Sequence, residues 1–258
     1  MHPVLFTVGP VTIYSYGVML VTCVLAGVWL ACRDAGRLPP ERRALAADRI
    51  ADWAAAVLLG GILGGRVLYV ALHWPLFAAA PLQAFAIWRG GLVWYGGFAG
   101  GALGAWLYLR AHRVPFLQAA DQLIPFVALS HAIGRVGCFL NGCCYGRPTE
   151  AWYGVQFPGQ PGPVIPTQLL EAVGLVALFV FLRSARRWPA LQRPGQVFGL
   201  YLLGYAALRF LVETLRGDQP RWHALTLPQL VSLSLVLVGL SLLKRGQTPC
   251  TRGLTPFR

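Results

Sequence analysis

The chain has 258 residues, of which 56% are hydrophobic and only 12% charged, about half the charge of an ordinary soluble domain. Its formal net charge of +13 would suit a nucleic-acid binder, but the basic residues lie in short connections between apolar runs, so membrane topology accounts for them and no nucleic-acid partner is expected. No long polar stretch remains for a separate soluble domain, and residues 1–258 read as one membrane domain with a disordered tail over 244–258.

Seven apolar spans follow one another at roughly 11–32, 51–72, 92–109, 119–140, 167–182, 196–215 and 225–243. Each approaches the twenty or so residues that an α-helix needs to cross the hydrocarbon core, which predicts an all-α polytopic membrane protein. The opening MHPVLFTVGP has no basic region, so the first span is read as a retained helix and not a cleaved leader. Lys and Arg divide unevenly between the connections. Fifteen of the 22 lie after spans one, three, five and seven, four lie in the alternate connections, and three (Arg66, Arg135, Arg209) lie within spans. The positive-inside rule then puts the C-terminus in the cytoplasm and the N-terminus outside.

Arginine inside a bilayer costs about 3 kcal/mol unless it meets a partner, water or an anion. Span six carries Arg209 and Glu213, four apart, with Arg216 three further on, all on one helical face. That stripe leaves positive charge beside one carboxylate. It can cradle a phosphate bidentately or pair with another helix, and the sequence leaves both open. In span four His131 and Arg135 are also four apart, in the glycine-rich stretch HAIGRVGCFLNGCCYG, which suits either a cavity wall or a charge snorkelling to the surface. Arg66 follows GGILGG near the expected outer end of span two, where snorkelling is again a competitor. The glycine-dense segments 60–65 and 90–101 permit close helix packing. The longest outer connection, 141–166, is rich in Gly and Pro and reads as turns.

Several segments, in order, resemble the prolipoprotein diacylglyceryl transferase family: IYSYGVML at 13–20, GGRVLYV at 64–70, GGLVWYGGFAGG at 90–101, GRVGCFLNG at 134–142, PTQLLE at 166–171 and GLYLLGYAALRFLVETLR at 199–216. The resemblance implies a seven-span enzyme of the bacterial inner membrane. Such an enzyme moves the diacylglyceryl group of phosphatidylglycerol onto the lipobox cysteine thiol of prolipoproteins, making a thioether and releasing glycerol phosphate. Its partners would be phosphatidylglycerol, prolipoprotein signal peptides and membrane lipids, with no cofactor or metal required. Tyr16, Arg66, Arg135, Asn141, Arg209, Glu213 and Arg216 fall on family motif positions. Arg135 and Arg209 match the arginines assigned to the headgroup and catalysis, while Tyr16, Arg66, Asn141, Glu213 and Arg216 would bind substrate.

Four positions depart from the family pattern. Tyr95 stands where a histidine is usual, Cys138 where asparagine is, Cys143 where glutamate is, and Ile165 where a histidine precedes the proline. The first change removes a catalytic base, for which His131 and Tyr95 are the candidates here, although a tyrosine near pKa 10 is a poor base unless shifted. The alternative is a paralogue on the same fold that binds or modifies an anionic glycerophospholipid with a different acceptor. Cys138, Cys143 and Cys144 are a candidate disulfide or thiol site. A bridge from Cys138 to Cys143 or Cys144, packed free thiols, and a catalytic, lipid-acceptor or metal role all remain open, although C-x4-CC is not a usual zinc spacing. Cys23, Cys32 and Cys250 suggest no role, and the lack of symmetric broken helices argues against a transporter.

Overall fold

A computed structural model describes residues 3–9, 11–216, 221–222 and 225–245. Eight α-helices are present among them: α1 Ser15–Ala35, α2 Ala47–Leu72, α3 Trp74–Ala78, α4 Trp94–Ala111, α5 Phe116–Asn141, α6 Thr167–Ala185, α7 Gln196–Thr214 and α8 Leu227–Arg245. Seven of these coincide with the expected spans. Among the described residues six, all but α3 and α4, are long and apolar enough to cross a membrane. Helix α4 has the length of a span at 18 residues, but five glycines, five aromatic residues and Arg110 dilute its apolar character. This is a helical multi-pass membrane protein.

The first expected span begins too early. Residues 4–14 form a hairpin, β1 Val4–Val8 against β2 Val11–Tyr14, whose β-branched residues favour extended backbone. Only from Ser15 does the chain turn helical, its amide donating to the Pro3 carbonyl at 3.0 Å. A second short ribbon pairs β3 Arg221–Trp222 with β4 Leu225–Thr226. Helix α8 carries on to Arg245, two residues into the expected tail, and residues 246–258 of that tail, with Cys250, lie outside the described residues.

The chain divides into two compact units, residues 28–122 and residues 1–27 with 123–258. In the first, α2 and α4 touch backbone to backbone along Gly60, Gly64, Gly96, Gly100 and Gly104. A Cβ on Gly100 would lie 2.9 Å from the Gly64 Cα, and nearer still to the Gly60 carbonyl oxygen. Such approach gains dispersion contacts between helices that lipid cannot drive together by the hydrophobic effect. The buried Gln122 side chain fixes the 36–46 connection by accepting from the Leu45 amide and donating to its carbonyl, both at 2.8 Å.

In the second unit, Leu178, Leu182 and Val197 form a core between α6 and α7, covered by Ile124, Leu200, Tyr201 and Tyr205. Helices α7 and α8 cross at Gly199 and Gly239, where a Cβ on either would meet the other's carbonyl oxygen at about 3 Å. Helix α1 crosses α5 at Gly137, where a Cβ would lie 2.9 Å from the Met19 Cβ. The 142–166 connection folds into turns held by isolated bridges of Val164 to Pro148 and to Val155. Phe157 is its buried anchor, packed on Phe139 and Tyr145.

Candidate functional site

Helices α5, α6 and α7 bring five polar side chains together. Arg135 Nη2 lies 2.8 Å from Glu171 Oε1, Arg209 Nη1 lies 3.4 Å from Glu171 Oε2, and Arg209 Nη2 lies 2.8 Å from Glu213 Oε2. His131 Nε2 stands 3.9 Å from Glu171 Oε1, with its ring 5.5 Å from that of Tyr205. Both carboxylates are buried, while the two arginine side chains keep 15% and 14% of their exposure. The spacing expected from sequence is what joins Arg135 to His131 on α5 and Arg209 to Glu213 on α7.

Sequence reasoning missed Glu171, the residue at the centre. It is one of few acidic residues within an apolar span, and that alone marks it, since an intramembrane carboxylate needs a partner. It also corrects the expectation of net positive charge beside a single carboxylate. Arg135, Arg209, Glu171 and Glu213 together are formally neutral. Glu213 pairs with Arg209 from within α7. Arg216 lies beyond the end of α7, with its amide donating to the Glu213 carbonyl at 3.1 Å.

Depth follows from helix geometry at 1.5 Å per residue. Arg135 precedes the end of α5 by about 9 Å, Glu171 follows the start of α6 by about 6 Å, and Arg209 precedes the end of α7 by about 7.5 Å. The cluster therefore sits one to two turns inside the helix ends. The Arg135 Nε–H is buried without an acceptor, so this guanidinium keeps a donor for an anion.

Next to this cluster stand three thiols. Cys138 is one turn beyond Arg135, and Cys143 and Cys144 follow the end of α5. All three are unbridged, with their Sγ atoms within 4.8 Å of one another. Gly142 (φ 74°) and Cys144 (φ 63°) turn the chain back over the helix end, and the Cys143 amide donates to the Cys138 carbonyl at 3.1 Å. The first residues of α6 pin the turn: Gln168 Nε2 donates to the Cys143 carbonyl at 2.6 Å and Thr167 Oγ1 to the Cys144 carbonyl at 2.8 Å. The Cys138 thiol hydrogen-bonds the Cys144 sulfur, and with the positive fields of Arg216 and Arg135 it holds Cys144 well below the ordinary thiol range; burial pushes Cys143 above it.

The remaining candidates are placed as follows. The Tyr16 ring lies over Gly137, beside Cys138, and Asn141 ends α5 exposed. Arg66 and Tyr95 belong to the other compact unit. Arg66 is buried and donates to five backbone carbonyls of the 83–91 loop: Ala84 from Nε, Gly90 and Gly91 from Nη1, Gln83 and Ala86 from Nη2, at 2.7–3.4 Å. Every N–H of its guanidinium is thus engaged, in place of either a snorkelling charge or a hand free for a headgroup. Tyr95 is exposed near the start of α4, its ring edge-on to Trp94.

The family profile described as prolipoprotein diacylglyceryl transferase matches residues 3–245. The chain belongs to the prolipoprotein diacylglyceryl transferase family. Among its relatives are proteins named phosphatidylglycerol--prolipoprotein diacylglyceryl transferase from three bacteria. That of Clostridium tetani is 35% identical over 249 residues, covering 93% of this chain and 96% of the relative. That of Chromohalobacter salexigens is 36% identical, covering 93% and 90%. That of Vibrio cholerae is 36% identical, covering 95% and 92%. In this family member, the cluster around Glu171 is thus the candidate active site, built from α5, α6 and α7.

Proposed function

We propose that this chain transfers the diacylglyceryl group of phosphatidylglycerol to the lipobox cysteine thiol of prolipoproteins, in the cytoplasmic membrane of a bacterium, with its N-terminus outside. The observation that carries the reading is a pair of arginines held just inside the helix ends by one shared buried carboxylate, with the Arg135 Nε–H unused. A headgroup phosphate at that depth would present its glycerol carbon to a thiol arriving from the outer side.

The acceptor sulfur, as thiolate, attacks the glycerol carbon that bears the phosphate. A carbon–sulfur bond forms, the carbon–oxygen bond breaks, and glycerol phosphate leaves with the electron pair. Charge grows on the leaving phosphate, and pre-placed guanidinium donors from Arg135 and Arg209 stabilise it more than they do the substrate. Glu171 fixes both guanidiniums, and Glu213 fixes Arg209 from the other side. His131, beside Glu171, is the nearest base for the acceptor proton. Tyr16 and Asn141 would line the same end of α5.

Arg135→Ala and Arg209→Ala should each abolish transfer to a lipobox peptide incubated with the purified protein and phosphatidylglycerol, read by mass spectrometry. Full activity in either variant refutes the reading. One observation favours a different acceptor on the same fold, namely the three thiols beside Arg135. Complementation of a strain depleted of its own diacylglyceryl transferase separates the two.

A further inference from the structure

We propose that Cys138, Cys143 and Cys144 bind a zinc ion whose open fourth position receives the acceptor thiol as a thiolate. This deepens the transferase reading and rests on it. The three Sγ atoms lie within 4.8 Å of one another. Zinc takes thiolates at about 2.3 Å in a tetrahedron, which sets sulfur pairs about 3.8 Å apart, so the sulfurs need to close by no more than about 1 Å. A disulfide needs about 2.05 Å, a larger closure, and leaves the third thiol over.

The backbone is already bent to this purpose. Two consecutive sulfur-bearing residues return toward the last turn of α5 through left-handed Gly142 and Cys144. A non-glycine residue in that region costs roughly 1 kcal/mol or more and persists where the surroundings impose it. Here Gln168 and Thr167 hold it through the carbonyls of Cys143 and Cys144, while the Cys143 thiol turns back toward the Cys138 carbonyl at 3.6 Å, so the side chains already converge. Three thiolates and a divalent ion carry one net negative charge, and Arg135 stands one turn before Cys138 on the same face of α5.

Among the described residues the metal-competent group numbers three, the ligand count of zinc sites that keep a position open for chemistry. A thiol entering that position loses its proton outright. The steps balance. The acceptor S–H gives its sulfur to zinc and its proton, by way of water, to His131 and on to solvent. That sulfur forms the bond to the glycerol carbon, the carbon–oxygen bond breaks onto the phosphate, and the phosphate oxygen takes up a proton from water. The thioether product is a weak ligand and leaves, reopening the site.

The test uses full-length protein in detergent under a strong non-thiol reductant, stripped with a chelator and titrated with Co2+, then Zn2+. The expected result is one equivalent of Co2+ with sulfur-to-cobalt charge-transfer and tetrahedral visible bands, displaced by Zn2+. Both signals are lost in Cys143→Ser and in Cys144→Ser and retained in Cys23→Ser. Returning Zn2+ should raise transfer to a lipobox peptide about tenfold near neutral pH, since only a few per cent of a free thiol is ionised there. Absence of a Co2+ signal, or its survival in Cys143→Ser and Cys144→Ser, overturns the site. So does loss of two thiols without reductant in protein that takes no metal once reduced. Equal transfer with and without bound metal overturns the role of the fourth position while leaving the transferase reading intact. Metal binding without transfer to any lipobox peptide overturns the transferase reading, and with it the acceptor's place on the zinc.

Discussion

Glu171→Gln is the most searching single substitution. It keeps the shape of the side chain and removes the charge shared by Arg135 at 2.8 Å and Arg209 at 3.4 Å. The four-group cluster passes from neutral to one net positive charge. Removing one partner of a buried pair typically costs about 3–5 kcal/mol. The arginine side chains keep 15% and 14% exposure, and the glutamine oxygen still accepts one hydrogen bond, so about 2–3 kcal/mol is expected here. Thermal unfolding in detergent reads that loss.

Activity discriminates more sharply. If Glu171 aims the guanidiniums at the leaving phosphate, the variant loses about 10²–10³-fold in kcat, the 2.7–4 kcal/mol expected when a pre-placed donor is misaligned. If Glu171 only competes with the headgroup for the same donors, its neutralisation lowers KM and spares kcat. An unchanged kcat with a lower KM refutes the positioning argument. The double variant Arg135→Gln/Glu171→Gln removes both charges and should recover most of the stability lost in either single variant. It should recover none of the activity.

Further expectations concern other parts of the fold. Gly100→Val drives a branched side chain into the Gly60 and Gly64 backbone, so α2 and α4 must part; a loss of at least 1–3 kcal/mol, about that of overpacking a core, is expected from thermal unfolding, and an unchanged transition refutes the close crossing. Arg66→Lys offers three donors in no fixed fork to a loop that now uses every guanidinium N–H. Chymotryptic cutting at exposed Phe85 and Trp88 should rise about tenfold or more, since even one lost charged hydrogen bond is worth roughly 1.5 kcal/mol; unchanged cutting counts against the clamp. In reduced, metal-stripped protein, iodoacetamide at about pH 6 should label Cys144 before Cys143, because hydrogen bonding and arginine fields keep Cys144 ionised below neutrality while burial keeps Cys143 protonated. Peptide mass spectrometry reads the order, and Cys143 reacting first contradicts it.

The helices were legible because the bilayer dictates them: hydropathy and the crossing length place seven of eight within a few residues. The hairpin at 4–14 was not, since a short apolar β-branched run does not distinguish strand from the start of a span. Helical spacing identified the partners within one helix, His131 with Arg135 and Arg209 with Glu213. It was blind to Glu171, whose partners come from two other helices. Arg66 shows a different limit. Its partners are backbone carbonyls, which every residue carries and no side-chain pattern advertises. The thiols were visible as a cluster, but their convergence depends on left-handed turns at Gly142 and Cys144 and on tethers from α6.

A neutral cluster is at first sight a poor host for an anionic headgroup. Two unpaired arginines at this depth would cost up to about 3 kcal/mol each in the empty site, and Glu171 and Glu213 remove that cost. The substrate phosphodiester carries one negative charge, whereas the departing phosphate develops a second. A site that only balances its own charges in the ground state gains little from binding the substrate. It gains more as charge moves onto the leaving oxygen beside fixed guanidinium donors, and only such differential stabilisation speeds the chemical step. On the proposed reading, the unpaired Nε–H of Arg135 is the donor best placed to respond, because its use breaks no existing pair.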